Sequence, residues 1–317
     1  MSAGGGAGAA LRALLASGAL DLPLPGRGET PERHRRLLEL ARSQPVSVAR
    51  LAEAHTDAVA IRAEAGRRTA PDLLYGVWAS ASATDGLVVD ADGRTVSGTK
   101  HMCSGVGVVD RALVTATGAF GRHLLVDVAV DPCRAPSVVV DAEAWGTPAL
   151  AESRTGRVTF DEHPLDGDAV IGSPDFYLGR AGFWHGACGP AACWAGAAIG
   201  LVDRAEDLTD DDPHRRADLG AMRALTWGMR ALLDRAGVEI DDGSDDVVQA
   251  HTRALALRHL VERSCTEVLD RFGQALGPRP FASDPDVAQR HADVHLYLRQ
   301  HHGARDLYAL GTAPRPR

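Results

Sequence analysis

Along the first seventy residues, apolar positions recur at helical spacing. Leu37, Leu38 and Leu40 are the apolar positions of a segment over 32–43, opened by Pro31 and closed by Pro45. Val48, Leu51, Ala52, His55, Val59 and Ile61 then recur at mostly three- and four-residue intervals, which predicts a helix over 46–64 with Gly66 just past its end. From about 73 to 172 the period changes. Residues 87–89, the turn Asp90-Ala91-Asp92-Gly93 and residues 95–98 read as a hairpin. Residues 112–115, 123–130, 137–140 and 157–160 read as further strands. Turn residues separate these runs, so the pattern predicts antiparallel pairing and not βαβ units.

Beyond Pro174 the helical period returns. The run 181–202 has 22 residues and no Asp, Glu, Lys or Arg, long enough to span a bilayer. Twelve of those residues are Gly or Ala, however, and His185 and Pro190 interrupt them. Small side chains contribute little transfer energy and let backbones approach closely, so the run reads as a helix buried in a bundle and reaching about 206. Asp211-Asp212-Pro213 opens the next helix near His214, an acidic loop over 241–246 precedes a helix over 247–276, and Asp284-Pro285 opens a last one running to about 310. Four long helices with short connections predict an antiparallel bundle. The expected fold class is multi-domain α+β: a short helical region over 1–72, a β-barrel or sandwich domain over 73–173, and a helical bundle over 174–317.

Composition narrows the function. Hydrophobic residues at 45% and charged residues at 24% of 317 suit a soluble chain with a sizeable core. A net charge of −8 argues against nucleic acid and anionic membranes as partners. Five cysteines (Cys103, Cys133, Cys188, Cys193 and Cys265) without a CxxC pair argue against a disulfide framework or structural zinc and fit a reducing cytoplasm. The Ala/Gly-rich start with Arg12 inside it lacks the features of a signal peptide and, like the Pro/Arg tail, reads as dispensable.

Several ordered motifs then point to one family. Tyr75-Gly76-Val77-Trp78-Ala79-Ser80, Gly98-Thr99-Lys100 with Met102-Cys103-Ser104-Gly105, and Asp110-Arg111-Ala112-Leu113-Val114 follow one another in the β region. Val158-Thr159-Phe160-Asp161-Glu162 and Val170-Ile171-Gly172 complete it, and Arg216-Ala217-Asp218-Leu219-Gly220 and Gln274-Ala275-Leu276-Gly277 stand in the bundle. In order and spacing, over roughly residues 70 to 310, the chain resembles the acyl-CoA dehydrogenase superfamily of flavoproteins. Its YxVTE, GxK…WITN, RxxFG and QxLGG segments are the counterparts, and no gap is needed from Leu276 to Asp293, the aspartate of its RDA segment.

The resemblance implies FAD, with FMN the other option, between a β domain and a helical bundle, and assembly as a homodimer or homotetramer. It implies a small-molecule substrate, an acyl thioester or similar carbonyl compound, and admits a reductase or electron-transfer partner. Trp78, Ala79, Ser80, Cys103 and Ser104 fall on its flavin-lining segments. Ser104 is the expected hydroxyl donor to the flavin N5/O4 edge, although Ser104-Gly105 also reads as a plain turn, and Trp78 either stacks near the ring or fills the core. Arg216 falls on the residue that reaches a pyrophosphate, though a solvated helix face explains it equally well. Gln274, Gly277 and Arg279 fall on the dinucleotide loop. Phe183-Trp184 either floors the flavin pocket or packs in the core.

Departures from the family matter as much. Its glycine-rich loop is here Gly277-Pro278-Arg279-Pro280, in which two prolines remove backbone donors and leave Arg279 as the phosphate candidate. Its catalytic carboxylate, eight residues past the RDA aspartate, is replaced by His301, the expected acid/base. Related flavin monooxygenases of the same fold also carry His in this region. Three readings follow: an acyl-CoA dehydrogenase-like FAD-dependent oxidoreductase first, a monooxygenase fed with reduced flavin second, a non-catalytic homologue third. His291 and His295, at i and i+4 with His301 and His302 nearby, read as a polar face; no HExxH accompanies them and no metal is expected. Arg305 and Asp306 read as a helix-end ion pair.

Overall fold

The computed structural model describes residues 6–80, 86–130, 137–141, 145–243 and 246–313. Cys133, residues 244–245 of the acidic loop and the Pro/Arg tail lie outside the described residues. Three helices come first: α1 (Ala7–Ala16), α2 (Thr30–Ser43) and α3 (Val46–Glu64). Seven strands follow: β1 (Tyr75–Trp78), β2 (Val88–Val89), β3 (Thr95–Cys103), β4 (Arg111–Thr117), β5 (His123–Ala129), β6 (Val138–Asp141) and β7 (Gly156–Pro164). Helices close the chain: α4 (Phe176–Gly179), α5 (Ala181–Gly186), α6 (Cys188–Leu208), α7 (Pro213–Asp241), α8 (Val247–Leu276), α9 (Arg279–Ser283), α10 (Pro285–Tyr297) and α11 (Ala304–Thr312). They form two compact units, one of residues 1–21, 51–147 and 151–183, the other of 22–50, 148–150 and 184–317.

The first unit holds the sheet, in the order β1-β4-β2-β3-β7-β6 with β5 also on β4. Its hairpin forms where the turn chemistry places it, because the Asp90 carboxylate accepts from the backbone N–H groups of Arg94 (2.7 Å) and Thr95 (3.0 Å). Gly98 is required: at φ +122° its missing Cβ would lie 1.8 Å from the Gly86 carbonyl oxygen. Pairing is mostly antiparallel, but β1 and β2 both run parallel to β4. The residues between β1 and β4 include β2 and β3, and that length permits the crossover a parallel pair needs. Ala58 and Ile61 of α3 pack with Tyr75, Leu113, Leu125 and Ile171 to make a core.

The Ala/Gly start is no dispensable arm. It folds as α1, buries Leu11 completely, and sends Arg12 to the Asp110 carboxylate through two bonds of 2.7 and 2.8 Å. Asp110 also accepts from the Leu74 N–H at 2.7 Å, just ahead of β1. A bidentate arginine of this kind is specific in direction, which composition alone does not reveal.

The second unit is the helical bundle, built chiefly of α2, α6, α7, α8 and α10. Asp212, Asp246 and Asp284 cap α7, α8 and α10 with their side chains, and α8 has a reciprocal capping box with Gln249. Two expected helices are broken. The apolar run divides at Ala187 because Pro190 lacks an N–H and its ring clashes with the carbonyl four residues back, at Gly186. The last helix stops at Tyr297, passes through a 3₁₀ turn (Leu298–Gln300), and restarts at Ala304. Buried positions in α6 run almost unbroken from Cys188 to Val202. No helix among the described residues is long and apolar enough to cross a membrane.

Candidate active site

In the β unit, strand β1 ends on Trp78 and strand β3 ends next to Ser104, and the two are tied together. The buried indole of Trp78 donates its Nε1–H to the Ser104 carbonyl at 2.9 Å. The Ser104 hydroxyl lies 3.0 Å from that of Thr155, which lies 3.0 Å from that of Ser153. A hydroxyl carries one donor and two acceptor positions, so Ser104, bonded once and half-buried, retains capacity for a further partner. The half-buried Ala79 follows Trp78, Ser80 donates to the His101 carbonyl at 2.7 Å, and the buried Cys103 thiol donates to the Lys100 carbonyl. Trp78, Ala79, Ser80, Cys103 and Ser104 therefore share one end of the sheet unit. The strained backbone beside them leaves no mark in the sequence pattern. Met102, 60% exposed, sits at φ +58° at a register shift between Lys100 and Cys103. A non-glycine residue in that region is held there by its surroundings.

In the helical unit, His301 stands in the break after α10. Its backbone is extended (φ −76°, ψ 125°), and Gly303, at φ +56° and ψ −121°, turns the chain into α11. The Gly303 N–H donates to His301 Nδ1 at 3.3 Å. That bond fixes the tautomer, since an N–H can only be accepted by a lone pair: neutral His301 carries its proton on Nε2. Nε2 is itself buried without a protein partner. Burial lowers the His301 pKa, against the opposing pull of Asp306 and Glu262, so the ring is neutral near pH 7.

Helix α8 grips this break. Arg258 donates to the Gln300 carbonyl (3.0 Å) and to the Ala187 carbonyl (2.9 Å), serving both chain breaks at once, and lies 4.6 Å over the Trp194 ring. Four residues on, Glu262 accepts from Arg299 and from Thr266, each at 3.1 Å. His259 faces His301 with ring centroids 5.6 Å apart, and its Nδ1 is also buried without a protein partner. His259 and Glu262 escaped the sequence reading. Their i, i+3 spacing was visible, but nothing in the sequence joins them to a residue some forty positions away.

The other candidates lie elsewhere, Phe183 in the first unit and the rest in the helical unit. Arg216 donates to the Asp210 carbonyl and the Asp211 carboxylate, both at 2.8 Å, on an exposed first turn. An Arg271–Asp218 ion pair of 2.7 Å sets the start of α7 beside the end of α8, so Arg216 shares that end with exposed Gln274, Gly277 and exposed Arg279. Pro278 and Pro280 build the short helix α9 instead of an open phosphate loop. Trp184 stacks on His251 at 4.0 Å, and Phe183 meets Tyr177 edge-on at 5.2 Å, so both are packed. His291 packs edge-on against Phe281 at 4.9 Å. Asp306 turns to His302, accepting its backbone N–H at 3.2 Å, in place of the expected pair with Arg305.

No protein-family model and no curated protein matches the chain. Solved structures do match in fold. TdsC from Paenibacillus sp. A11-2, crystallised with FMN and indole, superposes at TM-score 0.77 with 16% identity, over 96% of this chain and 94% of that one. The nitrososynthase from Micromonospora carbonacea var. africana gives 0.78 and 19%, over 97% and 89%. Methanesulfinate monooxygenase MsuC from Pseudomonas fluorescens gives 0.75 and 18%, over 96% and 90%. At these identities the likeness is one of fold, and the fold is the acyl-CoA dehydrogenase-like arrangement of mixed sheet and helices.

Proposed function

We propose that the chain is a flavin-dependent monooxygenase that uses reduced FMN from a partner reductase, in place of the acyl-CoA dehydrogenase-like reading. The observation that carries this is the His301 tautomer. A base that removes a proton from carbon needs a lone pair, and the Gly303 N–H already occupies the one on Nδ1. The remaining nitrogen is a buried N–H donor, suited to stabilising negative charge on oxygen.

The residues of the β unit fit a flavin edge, because Ser104 has an unused hydrogen-bonding position next to an indole that is fixed in place. Flavin binding by the 73–173 domain through Trp78, Ala79, Ser80, Cys103 and Ser104 is part of the proposal. Bound reduced flavin supplies two electrons to dioxygen. Ser104 would orient and donate and Trp78 keeps the Ser104 backbone in register, while within the helical unit His301 holds a proton on Nε2. FMN is favoured over FAD for three reasons. Arg216 is engaged with Asp211, and the prolines of the 277–280 loop take away the donors that a dinucleotide requires. TdsC and KijD3, moreover, were both crystallised with FMN. Assembly into a homo-oligomer belongs to the same reading, with the 76%-exposed Trp227 of α7 as an anchor.

Two mixing experiments separate the readings. Reduced FMN-loaded protein is expected to consume oxygen in a manner stimulated by at least one of indole, dibenzothiophene and methanesulfinate. Oxidised FMN-loaded protein is expected to keep its colour under anaerobic mixing with acyl-CoAs of varied chain length. Bleaching by an acyl-CoA would restore the dehydrogenase reading and overturn this one.

A further inference from the structure

We propose that His259, Glu262 and His301 form a binding site for a divalent first-row transition ion. One ring nitrogen from each histidine and one carboxylate oxygen all lie within 4.8 Å of one another. The two nitrogens without a protein partner, His259 Nδ1 and His301 Nε2, are both buried, and leaving such groups unmatched costs stability. Two imidazoles and one carboxylate are a donor set for zinc, iron or manganese and a poor one for calcium, which takes six or more oxygens. An ion at the centre would meet all three groups where a hydrogen bond between any two would not.

The supporting shell is largely present. Arg299 and Thr266 both donate to Glu262 Oε1, which orients the carboxylate and leaves Oε2 for the ion. Arg258 holds the Gln300 carbonyl, fixing the residue before His301. The ligands sit on α8 at i and i+3 and on the turn that α8 grips, so rigid elements place all three. Two features moderate the affinity. Coordination through His301 Nε2 moves the ring proton to Nδ1 and gives up the long Gly303 bond of 3.3 Å. Arg258 and Arg299 add positive charge nearby, so the ion is held at micromolar strength and not permanently. The inference is independent of the proposed oxygenase, although an ion on Nε2 removes the proton that role requires and makes zinc an inhibitor.

Calorimetric titration of the full chain with Zn²⁺ alone tests this. The expected result is one ion per chain in the micromolar range, weakened more than about tenfold by either Glu262→Gln or His259→Phe. His302→Gln, which alters an exposed neighbour, is expected to leave binding unchanged. Circular dichroism confirms that each variant is folded, and His259→Phe keeps the ring volume. Absence of binding at 100-fold the expected constant, or equal binding by Glu262→Gln, His259→Phe and the native chain, overturns the site. The readout needs no flavin or turnover, so a failure of the oxygenase reading leaves it standing.

Discussion

Gly196→Ala destabilises the helical unit by about 3 kcal/mol, the upper range for forcing extra volume into a packed interior. The methyl group would stand 2.0 Å from the Leu38 carbonyl oxygen and 2.8 Å from its carbon, both backbone atoms of α2. A side chain could rotate away; a helix backbone cannot, so α2 and α6 must separate along their length. Gly220→Ala on α7 is the control, with nothing within 4 Å of the added carbon, and is expected to gain up to about 1 kcal/mol from helix propensity alone. Urea midpoints of the two variants measure the difference. Equal midpoints would mean that the α6 backbone at Gly196 does not approach the α2 backbone at Leu38 this closely.

Acidification from pH 7 to pH 5 removes about 4 kcal/mol through two buried histidines, about 2 kcal/mol from each, before any carboxylate contributes. Burial lowers both His34 and His55 to about 4. Each is neutral for a structural reason. His34 Nδ1 meets the Leu233 carbonyl at 2.9 Å and so is the donor, in a setting with no room for a charge, while His55 Nδ1 accepts the Tyr75 N–H at 3.1 Å. A folded-state pKa below the unfolded value of about 6.5 means that the unfolded chain binds the proton first. The stabilisation is therefore complete above about pH 6.5 and is lost as the pH falls towards 4. His34→Asn and His55→Asn preserve a donor and an acceptor without titrating. Each is expected to shrink the pH 7 to pH 5 loss by about 2 kcal/mol, read as the change in urea-derived stability within each variant. An undiminished loss in both would contradict neutral burial.

Much of the fold was legible because local chemistry and long-range packing agree in this chain. Prolines at 31, 213 and 285 opened helices, Asp90 to Gly93 formed the turn, and the α8 bounds 247–276 followed from apolar period and caps. Illegible features were those set by tertiary partners. Leu11 and Arg12 looked disposable in an Ala/Gly stretch, and only Asp110, about a hundred residues on, gives them a place. The parallel β1–β4 pair depends on a crossover that strand patterns do not encode. Pro190 was visible, but Arg258, which donates to the Ala187 carbonyl at that break from another helix, was not.

The site divides the same way. Trp78 ends β1 and Ser104 follows β3, and the bond that ties them is an indole-to-backbone-carbonyl contact that no motif records. His301 lies eight residues past Asp293 in the sequence. That aspartate accepts the Leu150 N–H at 2.6 Å, and burial raises its pKa, which is a structural role that spacing does not disclose. The tautomer of His301, on which its chemistry depends, follows from Gly303, two residues further along in a conformation that glycine favours.

An absorbance titration of the purified chain with FMN tests the central claim most directly. Saturable binding at one FMN per chain, with the flavin band shifted from that of free FMN and affinity weakened about tenfold by Ser104→Ala, is the predicted result, a loss of one good hydrogen bond. A spectrum that stays that of free FMN at every protein concentration, or binding that Ser104→Ala leaves untouched, would contradict it.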